Sequence, residues 1–364
     1  MIRVVSWPYY RNANPYLDLF YDALRAHGVE HVGRFTADDG YLRQNHKDFE
    51  VIHIQWLPEA LWRTRGKGVL SQVRGILGMI RFFRLAKRLG KTVVWTMHDV
   101  EHLEGSSRVD RLGYRAIARN ADLCICHSRW GGEQALRRYG ARQVMHLHFG
   151  NFDGVYPAPR PRGGVLADLG LSPDRRTLLC FGAIRPYKGF ELALDAMSSL
   201  GPGYQLIIAG TTIVPEYEAL LHRRTAEVPR VKFIAREIDN QELADLAGAA
   251  DCAALPYLRI TGSLAVMTPL TFGRGVVASD LPFFRELLAM GPEAGVLFPV
   301  GDAAALARAV HEFFAPGVEH RAAAARQLAD QFAWRSVVQP YADWLHQRVC
   351  GARGAGNELT AARR

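Results

Sequence analysis

The strongest constraint on the fold is an alternation of strand-like and helix-like segments that occurs twice along the chain. In the first part, short apolar runs occupy residues 3–7, 51–54, 92–96 and 123–126. After a stretch rich in Pro and Gly, similar runs occupy residues 178–181, 206–209, 231–234, 252–255 and 276–278. Helix-length segments lie between these runs. Because parallel strands require crossover connections, the pattern predicts an α/β protein with parallel sheets.

The Pro- and Gly-rich stretch at residues 156–164 is typical of a linker between domains. A chain of 364 residues is too long for one small core and matches two domains of ordinary size. We therefore expect a Rossmann-like domain at residues 1–157 and a second at residues 165–333. Ligands of such sheets bind beyond the carboxyl ends of the strands, so the site should lie on those loops and face a cleft. The small, polar end at residues 351–364 is expected to be disordered.

Composition excludes several classes of protein. With 49% hydrophobic and 22% charged residues, the chain is neither disordered nor fibrous. Its 5 Cys residues form no CxxC motif, which argues against a disulfide framework and against structural zinc. We expect a reducing, cytoplasmic environment, since the first residues lack the apolar core of a signal peptide. The net charge of +9 predicts an anionic partner.

The most informative local motif is the segment at residues 181–190, which follows a strand and opens a helix. It contains Gly182, Arg185, Lys188 and Gly189. Helix N-termini attract anions, Arg can bind a diphosphate through two parallel hydrogen bonds, and Lys adds a mobile positive charge. The motif therefore predicts a diphosphate-binding loop. The alternative is a solvated basic turn.

This Gly-x-x-Arg-x-x-Lys-Gly pattern resembles the donor diphosphate loop of GT-B glycosyltransferases, especially those of family 4. The resemblance continues at residues 96–99, 127–128, 149–157, 255–257, 261–264 and 271–279. It implies two Rossmann-like domains facing a cleft, with a nucleotide sugar bound to the second domain. It also implies a C-terminal helix at residues 334–350 that crosses back to the first domain. The donor-binding residues would be Gly182, Arg185, Lys188, Gly189, Arg236, Thr261, Gly262, Ser263 and Leu264.

One departure from the family pattern concerns the donor block. Family 4 enzymes usually place two Glu residues eight apart there, and Ile260 and Thr268 stand at those positions. The sugar contacts of those Glu residues therefore do not carry over, and Thr261, Gly262 and Ser263 offer hydroxyl and N–H groups instead. Arg236 follows a strand whose loop lies near the nucleotide base in the resembled fold. A surface ion pair is an equally good interpretation of Arg236.

A finer resemblance is to bacterial exopolysaccharide transferases, on residues 14–21, 150–157 and 263–264. Among these, the chain looks most like inverting β-mannosyltransferases that use GDP-mannose, of the family 94 type. This implies transfer of one sugar to a polyprenyl-diphosphate-linked oligosaccharide. UDP-glucose or UDP-glucuronate remain alternative donors. A non-catalytic, membrane-associated GT-B scaffold is a further alternative.

The first domain is expected to supply the acceptor site and a general base. His98, Asp99 and Glu101 follow a strand and are the candidates, with Glu104 and Asp153 as weaker ones. The alternative is that His98 and Asp99 only cap the next helix. The expected acceptor-side residues are Asn14, Tyr16, Gln55, Trp56 and Asn151. No Asp-x-Asp motif occurs, so we expect no metal and no cofactor besides the nucleotide-sugar substrate.

Residues 60–98 contain many Lys and Arg residues, interleaved with apolar ones, and no Asp or Glu. This is typical of a basic amphipathic helix on an anionic membrane. The expected membrane contacts are Trp62, Arg63, Arg65, Lys67, Arg74, Arg81 and Arg84. Packing of the segment on its own domain is the alternative. Nucleic acid is not expected, because no recognised binding motif accompanies the charge. We expect a peripheral protein on the inner face of the plasma membrane.

Overall fold

Two parallel β-sheets organise the chain. The computed structural model describes residues 1–8, 15–56, 58–63, 68–101 and 105–361, with side chains as far as residue 351. The chain separates into one unit made of Met1–Phe149 with Trp334–Arg364 and a second made of Gly150–Ala333. Each unit contains a six-stranded sheet whose strand pairs are parallel. The predicted α/β class is confirmed.

The sheet of the first unit has the strand order β2-β1-β3-β4-β5-β6. Its strands are β1 (Ile2–Trp7), β2 (Val29–Arg34), β3 (Val51–Ile54), β4 (Thr92–Met97), β5 (Leu123–Cys126) and β6 (Val144–His146). Its helices are α1 (Tyr16–Arg25), α2 (Asp39–Asn45), α3 (Ala60–Arg63), α4 (Val69–Arg88), α5 (Arg108–Asn120) and α6 (Arg129–Tyr139). The central strands β3, β4 and β5 are buried along their whole length, which fixes the ends of those strands in place.

Trp62 lies in the core of the first unit and not on its surface. Its side chain is fully buried, and its ring meets that of Tyr114 edge to face at 5.7 Å. Its indole N–H donates to Asp110 at 3.1 Å, and Arg63 also donates to this carboxylate, at 2.7 Å. Burial alone would raise the pKa of Asp110, but the hydrogen bonds from Arg63, Ser107 and Trp62 hold it below its ordinary value. The expectation that Trp62 touches lipid is therefore wrong.

The second unit has the strand order β12-β11-β10-β7-β8-β9. Its strands are β7 (Arg176–Phe181), β8 (Tyr204–Gly210), β9 (Val231–Ala235), β10 (Cys252–Leu255), β11 (Gly275–Ser279) and β12 (Gly295–Phe298). Its helices are α7 (Arg162–Asp168), α8 (Phe190–Ser199), α9 (Pro215–Ala226), α10 (Asn240–Ala249), α11 (Met267–Thr271), α12 (Pro282–Leu288), α13 (Ala303–Phe314) and α14 (Val318–Asp330). Short 3₁₀ turns at Pro186–Lys188 and Leu264–Val266 follow β7 and β10.

The last helix, α15 (Trp334–Ala361), packs against α1 in the first unit. Tyr341 stacks on Phe20 with ring centres 5.9 Å apart, and Trp334 meets Tyr16 edge to face at 5.6 Å. The expected disordered tail lies almost wholly beyond the side chains that the structure describes. Within the described ranges, no helix has both the length and the apolar character needed to cross a bilayer.

Candidate functional site

Polar side chains gather at the carboxyl edge of the first unit's sheet. The strand register places Ser6 of β1 beside His53 of β3, and Thr96 of β4 beside Ile125 of β5. His98 and His127 then follow directly after β4 and β5. Because parallel strands end at one edge, residues far apart in sequence meet there. This edge carries Tyr16, Gln55, Trp56, His98 and Asp99, which the sequence had singled out.

An aromatic cage encloses His98. Trp56 stacks on its imidazole at 4.3 Å, Tyr16 meets it edge to face at 5.2 Å, and His127 lies at 5.2 Å. The hydroxyl of Tyr16 lies 3.1 Å from Nε2 of His127. Burial, with smaller contributions from His127 and His53, holds the pKa of His98 well below its ordinary value. His98 is therefore a neutral imidazole at physiological pH.

Asp99 lines a pocket beside this cage. The pocket is small, with a cavity volume of about 50 Å³. Its lining consists of Gln55, Trp56, Pro58, Glu59, Trp95, Thr96, His98, Asp99 and Tyr114. Burial, and then the charge of Glu59, raise the pKa of Asp99 to about 7. Glu59 is buried and accepts a hydrogen bond from the Tyr114 hydroxyl. A carboxyl group with a pKa near neutrality suits proton transfer at physiological pH.

The other candidate bases have different surroundings. Glu101 is partly exposed and forms an ion pair with Arg138. Asp153 lies in the second unit, where Arg326 donates to both of its oxygens at 2.7 and 2.6 Å. These bonds hold the pKa of Asp153 below its ordinary value. Glu104, together with the acceptor-side candidate Asn14, lies outside the described residues. The geometry therefore favours Asp99.

Asn151 does not join the acceptor-side group in the first unit. It is buried in the second unit, where its amide donates to the Ala329 carbonyl and to Asp153, each at 3.0 Å. Its backbone N–H also donates to the Phe332 carbonyl at 2.7 Å. These bonds tie residues 150–153 to the end of α14. The assignment of Asn151 to the first domain's acceptor site is wrong, because its polar groups serve this structural link.

The predicted diphosphate loop follows β7 in the second unit. Gly182 has φ = 88°, and a Cβ there would lie 2.9 Å from Nζ of Lys188. Gly189 has φ = 61°, and its Cβ would lie 2.3 Å from the Pro256 carbonyl oxygen. Both glycines are thus required by backbone conformation and by close approach. Together they fold the loop onto the end of β10.

Lys188 is the buried cation of this loop. Its ammonium donates to the Phe181 carbonyl at 3.2 Å and lies 5.4 Å from the centre of the Tyr257 ring. Burial lowers the pKa of Lys188 to about 8, and nearby Arg185 adds a smaller lowering effect. Arg185 is half-buried at the start of the short 3₁₀ turn. A negative charge bound in the loop would favour the protonated form of Lys188, so the loop is suited to an anion.

The donor block of residues 261–264 follows β10 through Tyr257. Thr261 is buried, whereas Gly262, Ser263 and Leu264 are half-buried ahead of the 3₁₀ turn and α11. Tyr257, which leads into this block, is fully buried. Ile260 and Thr268, at the positions where the resembled family has acidic residues, are both buried.

Arg236 forms the surface ion pair that was its alternative interpretation. Its guanidinium donates to both oxygens of Glu242 at 2.6 and 2.7 Å, near the start of α10. Its side chain is 60% exposed. In this structure both of its terminal N–H groups are paired with Glu242.

Two residues at the site, Glu59 and Tyr21, escaped the sequence candidates. They contribute to the pocket or to the hydrogen bonds behind it, together with His53, a polar residue in the apolar run at residues 51–54. Glu59 has no signal in the local sequence, because its role depends on the neighbouring strand β4. No group of three or more metal-ligating side chains is found in the described part of the chain.

Residues 175–315 match the family described as glycosyl transferases group 1. A GDP-mannose:glycolipid 4-beta-D-mannosyltransferase of Xanthomonas campestris pv. campestris is 27% identical over 286 residues, which cover 78% of this chain and 74% of the relative. The lipopolysaccharide core biosynthesis mannosyltransferase LpsB of Rhizobium meliloti is 29% identical over 170 residues, 44% of this chain and 48% of the relative.

Solved structures match along nearly the whole chain. HepE of Anabaena, in complex with UDP and glucose, has a TM-score of 0.72 at 16% identity and covers 95% of this chain and 100% of its own. The sucrose-phosphate synthase of Thermosynechococcus elongatus has a TM-score of 0.73 at 19% identity. The match covers 96% of this chain and 100% of the synthase chain. At such identities these likenesses establish the fold. The chain is a glycosyltransferase with the GT-B fold, and its second unit carries the match to the glycosyl transferases group 1 family.

Proposed function

We propose that the protein transfers mannose from GDP-mannose to a polyprenyl-diphosphate-linked oligosaccharide in exopolysaccharide assembly, with inversion and without a metal ion. The observation that carries the proposal is the loop after β7, where two glycines hold the buried Lys188 ammonium close to Arg185. Similarity to two bacterial mannosyltransferases supports the choice of sugar. The glycolipid named as acceptor of the first relative supports a lipid-linked acceptor.

The donor loop would act on the leaving group. Departure of the nucleoside diphosphate places negative charge on the oxygen that leaves the sugar. Arg185 and protonated Lys188 would stabilise that charge, as fixed positive groups do in a site with little water. Because the pKa of Lys188 is already lowered to about 8, binding of the dianionic diphosphate would raise it again.

Asp99 would act as the general base. The acceptor hydroxyl attacks the anomeric carbon while its proton passes to the Asp99 carboxylate. The new C–O bond forms as the bond to the diphosphate oxygen breaks, and GDP leaves with the electron pair. With a pKa raised to about 7, Asp99 is a stronger base than an ordinary carboxylate and still about half ionised at neutral pH.

An arginine-rich face on α4 and α5 supports peripheral binding to an anionic membrane. On α4 the exposed residues are Val69, Leu70, Arg74, Leu77, Arg81, Arg84 and Arg88, and those from Leu70 onward lie at helical spacing. On α5, which packs beside α4, the exposed residues are Arg108, Arg111, Leu112, Arg115 and Arg119. Asp39 of α2 pairs with Arg81, and the only acidic residue on either helix, Asp110, is buried. Each further cation near the surface would add about 1 kcal/mol of attraction.

This face revises the membrane contacts expected from sequence. Arg63 is engaged with Asp110, and Trp62 is buried beside it. Arg65 and Lys67 lie outside the described residues. Flotation with phosphatidylglycerol vesicles should recover the wild type and lose an Arg74→Glu/Arg84→Glu variant. An Arg223→Glu variant, changed on exposed α9 of the other unit, should float normally. Equal flotation of all three would contradict the assignment of this face.

The proposed donor is tested first by ligand binding. Thermal shifts would be measured with GDP, UDP, dTDP, ADP and their common sugar conjugates. GDP-mannose at 100 times its Kd should stabilise the protein by about 2.7 kcal/mol. Arg185→Ala should lose the shift, and the exposed Arg223→Ala should keep it.

Transfer is then measured with radiolabelled donors and a bacterial lipid extract. We expect labelled mannose to enter the lipid fraction from GDP-mannose, equally well with and without EDTA. Label entering only from a UDP-sugar would contradict the proposed donor. Binding of GDP-mannose without transfer to any lipid-linked acceptor would favour a non-catalytic scaffold.

A further inference from the structure

The imidazole of His98 is held by one side chain from the neighbouring strand end. Its Nε2 lies 3.1 Å from Oε1 of Gln55, which follows β3. A carboxamide oxygen only accepts hydrogen bonds, so Nε2 of His98 must carry the proton. Because burial keeps His98 neutral, its Nδ1 then has a lone pair and no proton. Among the described residues, no hydrogen-bond partner is recorded for that Nδ1.

The orientation of the Gln55 amide depends on its contacts with Tyr21 and His53. Its Nε2 donates to the Tyr21 hydroxyl at 3.2 Å, and the same nitrogen lies 3.3 and 3.4 Å from the two ring nitrogens of His53. Gln55 is itself buried, with only 1% of its surface exposed. Rotating the amide by half a turn would point its oxygen at Tyr21 and its NH₂ group at His98. The amide group in the structure has the opposite orientation.

The next bonds in the chain are compatible with this orientation. The Tyr21 hydroxyl lies 3.1 Å from Nδ1 of His53, and Nε2 of His53 lies 2.8 Å from the Thr96 hydroxyl. Burial lowers the pKa of His53 to about 3, so this ring is neutral and has one donor and one acceptor nitrogen. If Tyr21 donates to His53, its oxygen is left to accept from Gln55. Gln55 then donates to Tyr21, Tyr21 to Nδ1 of His53, and Nε2 of His53 to Thr96.

We propose that Gln55 is a positioning residue that fixes His98 as the Nε2–H tautomer and thereby presents its Nδ1 as a hydrogen-bond acceptor to a carbohydrate hydroxyl. The use of that acceptor rests on the proposed function. The tautomer itself rests only on the hydrogen bonds within the first unit. Trp56, stacked on the ring at 4.3 Å, holds the plane of the imidazole. A hydroxyl that donates to Nδ1 keeps its own oxygen rich in electron density.

The experiment combines NMR with the transfer assay. In the full chain labelled with ¹⁵N-histidine, long-range ¹H–¹⁵N correlations report which ring nitrogen carries the proton, and a His98→Gln spectrum assigns the signals. At pH 7 we expect the Nε2–H pattern for His98. Gln55→Leu should give a mixture of tautomers and lower the transfer rate about 10- to 100-fold, as expected when a buried polar partner is lost. The tautomer of His98 is determined in the wild-type protein, so poor folding of Gln55→Leu would not remove the test.

Two further variants separate positioning from packing. Gln143→Leu makes the same change in the same unit, where Gln143 accepts from Trp344 at 3.1 Å, and it should alter neither readout. Gln55→Glu retains the acceptor for His98 but adds a charge that favours the imidazolium, so transfer should recover as pH rises. The titratable groups that face the ring are Tyr16, Tyr21, His53, Glu59, Asp99 and His127.

The outcomes separate the two proposals. A wild-type His98 protonated at Nδ1 would overturn the positioning role, as would a Gln55→Leu variant that keeps both spectrum and transfer rate. A wild type with the Nε2–H pattern but no transfer from any donor would support the hydrogen-bond assignment and refute the proposed function.

Discussion

Replacing Glu59 by glutamine should move the pH dependence of transfer in a defined direction. The Asp99 pKa lies near 7 instead of an ordinary 3.8, with burial as the larger cause and the Glu59 charge as the smaller one. Glu59 therefore accounts for less than half of that difference of about 3, at most about 1.5. The Glu59→Gln side chain would keep an oxygen for the Tyr114 hydroxyl while removing the charge. The pKa of Asp99 should fall, to no lower than about 5.5.

The size of the effect follows from the fraction of ionised base. At pH 6 a base with a pKa of 7 is about 9% ionised, and one with a pKa of 5.5 is about 76% ionised. Relative to its own plateau, the variant should therefore gain up to about eightfold in rate at pH 6. Its plateau rate should fall modestly, because a weaker base removes the acceptor proton less well.

The assay is initial-rate mannose transfer between pH 5 and 9 at saturating donor. Glu133→Gln on α6 is the matched control, because Glu133 is an exposed carboxylate in the same unit. Its profile should superimpose on that of the wild type. An acid limb that stays in place in Glu59→Gln, or moves to higher pH, would refute the assignment of Asp99 as the base.

Three further predictions concern stability. Asp99→Asn should abolish transfer yet stabilise the fold at pH 8 by about 1 to 4 kcal/mol. A carboxyl whose pKa is raised from 3.8 to about 7 on folding destabilises the fold progressively as pH rises from about 4 to 7, so urea unfolding should show a larger gain at pH 8 than at pH 5. Trp62→Ala should cost about 3 to 5 kcal/mol in the same assay, since Trp62 is a fully buried core residue; a cost below 1 kcal/mol would place it on the surface. Gly210→Ala should lower Tm and remove the GDP-induced thermal shift. The new Cβ would lie 2.1 Å from the Gly182 carbonyl oxygen and would displace the donor loop. A normal shift would show that the loop tolerates this displacement.

The strands that the sequence predicted are mostly those buried in the middle of each sheet. The runs at residues 123–126 and 252–255 coincide with β5 and β10, which are buried throughout. Three strands escaped prediction, namely β2, β6 and β12, and all three lie at sheet edges. In β2 and β6 most side chains are half-buried or exposed, so their sequences lack a continuous apolar run. Pattern therefore predicts a strand best where both of its faces are covered.

The loop of the second unit and the pocket of the first unit differ in how far the sequence predicts them. The loop from Gly182 to Gly189 could be predicted because all of its residues are contiguous. The pairing of Glu59 with Asp99 could not, because it arises only when β3 and β4 lie side by side. The position of Trp62 depends on Gly113, whose Cβ would lie 2.6 Å from the indole ring. A glycine so distant in sequence gives no local sign that it makes room for a tryptophan.

Tyr114 places the helix α5 between the pocket and the arginine-rich face. Its inward side meets Glu59 in the pocket, whereas Arg111, Leu112 and Arg115 lie on the exposed side of the same helix. An α-helix with its side chains is about 10–12 Å across. A bilayer resting on that outer face would leave only this width between the lipid headgroups and the pocket. If the proposed membrane face and lipid-linked acceptor are correct, the helix would then act as a spacer, and the acceptor would have to bridge its width to reach the pocket.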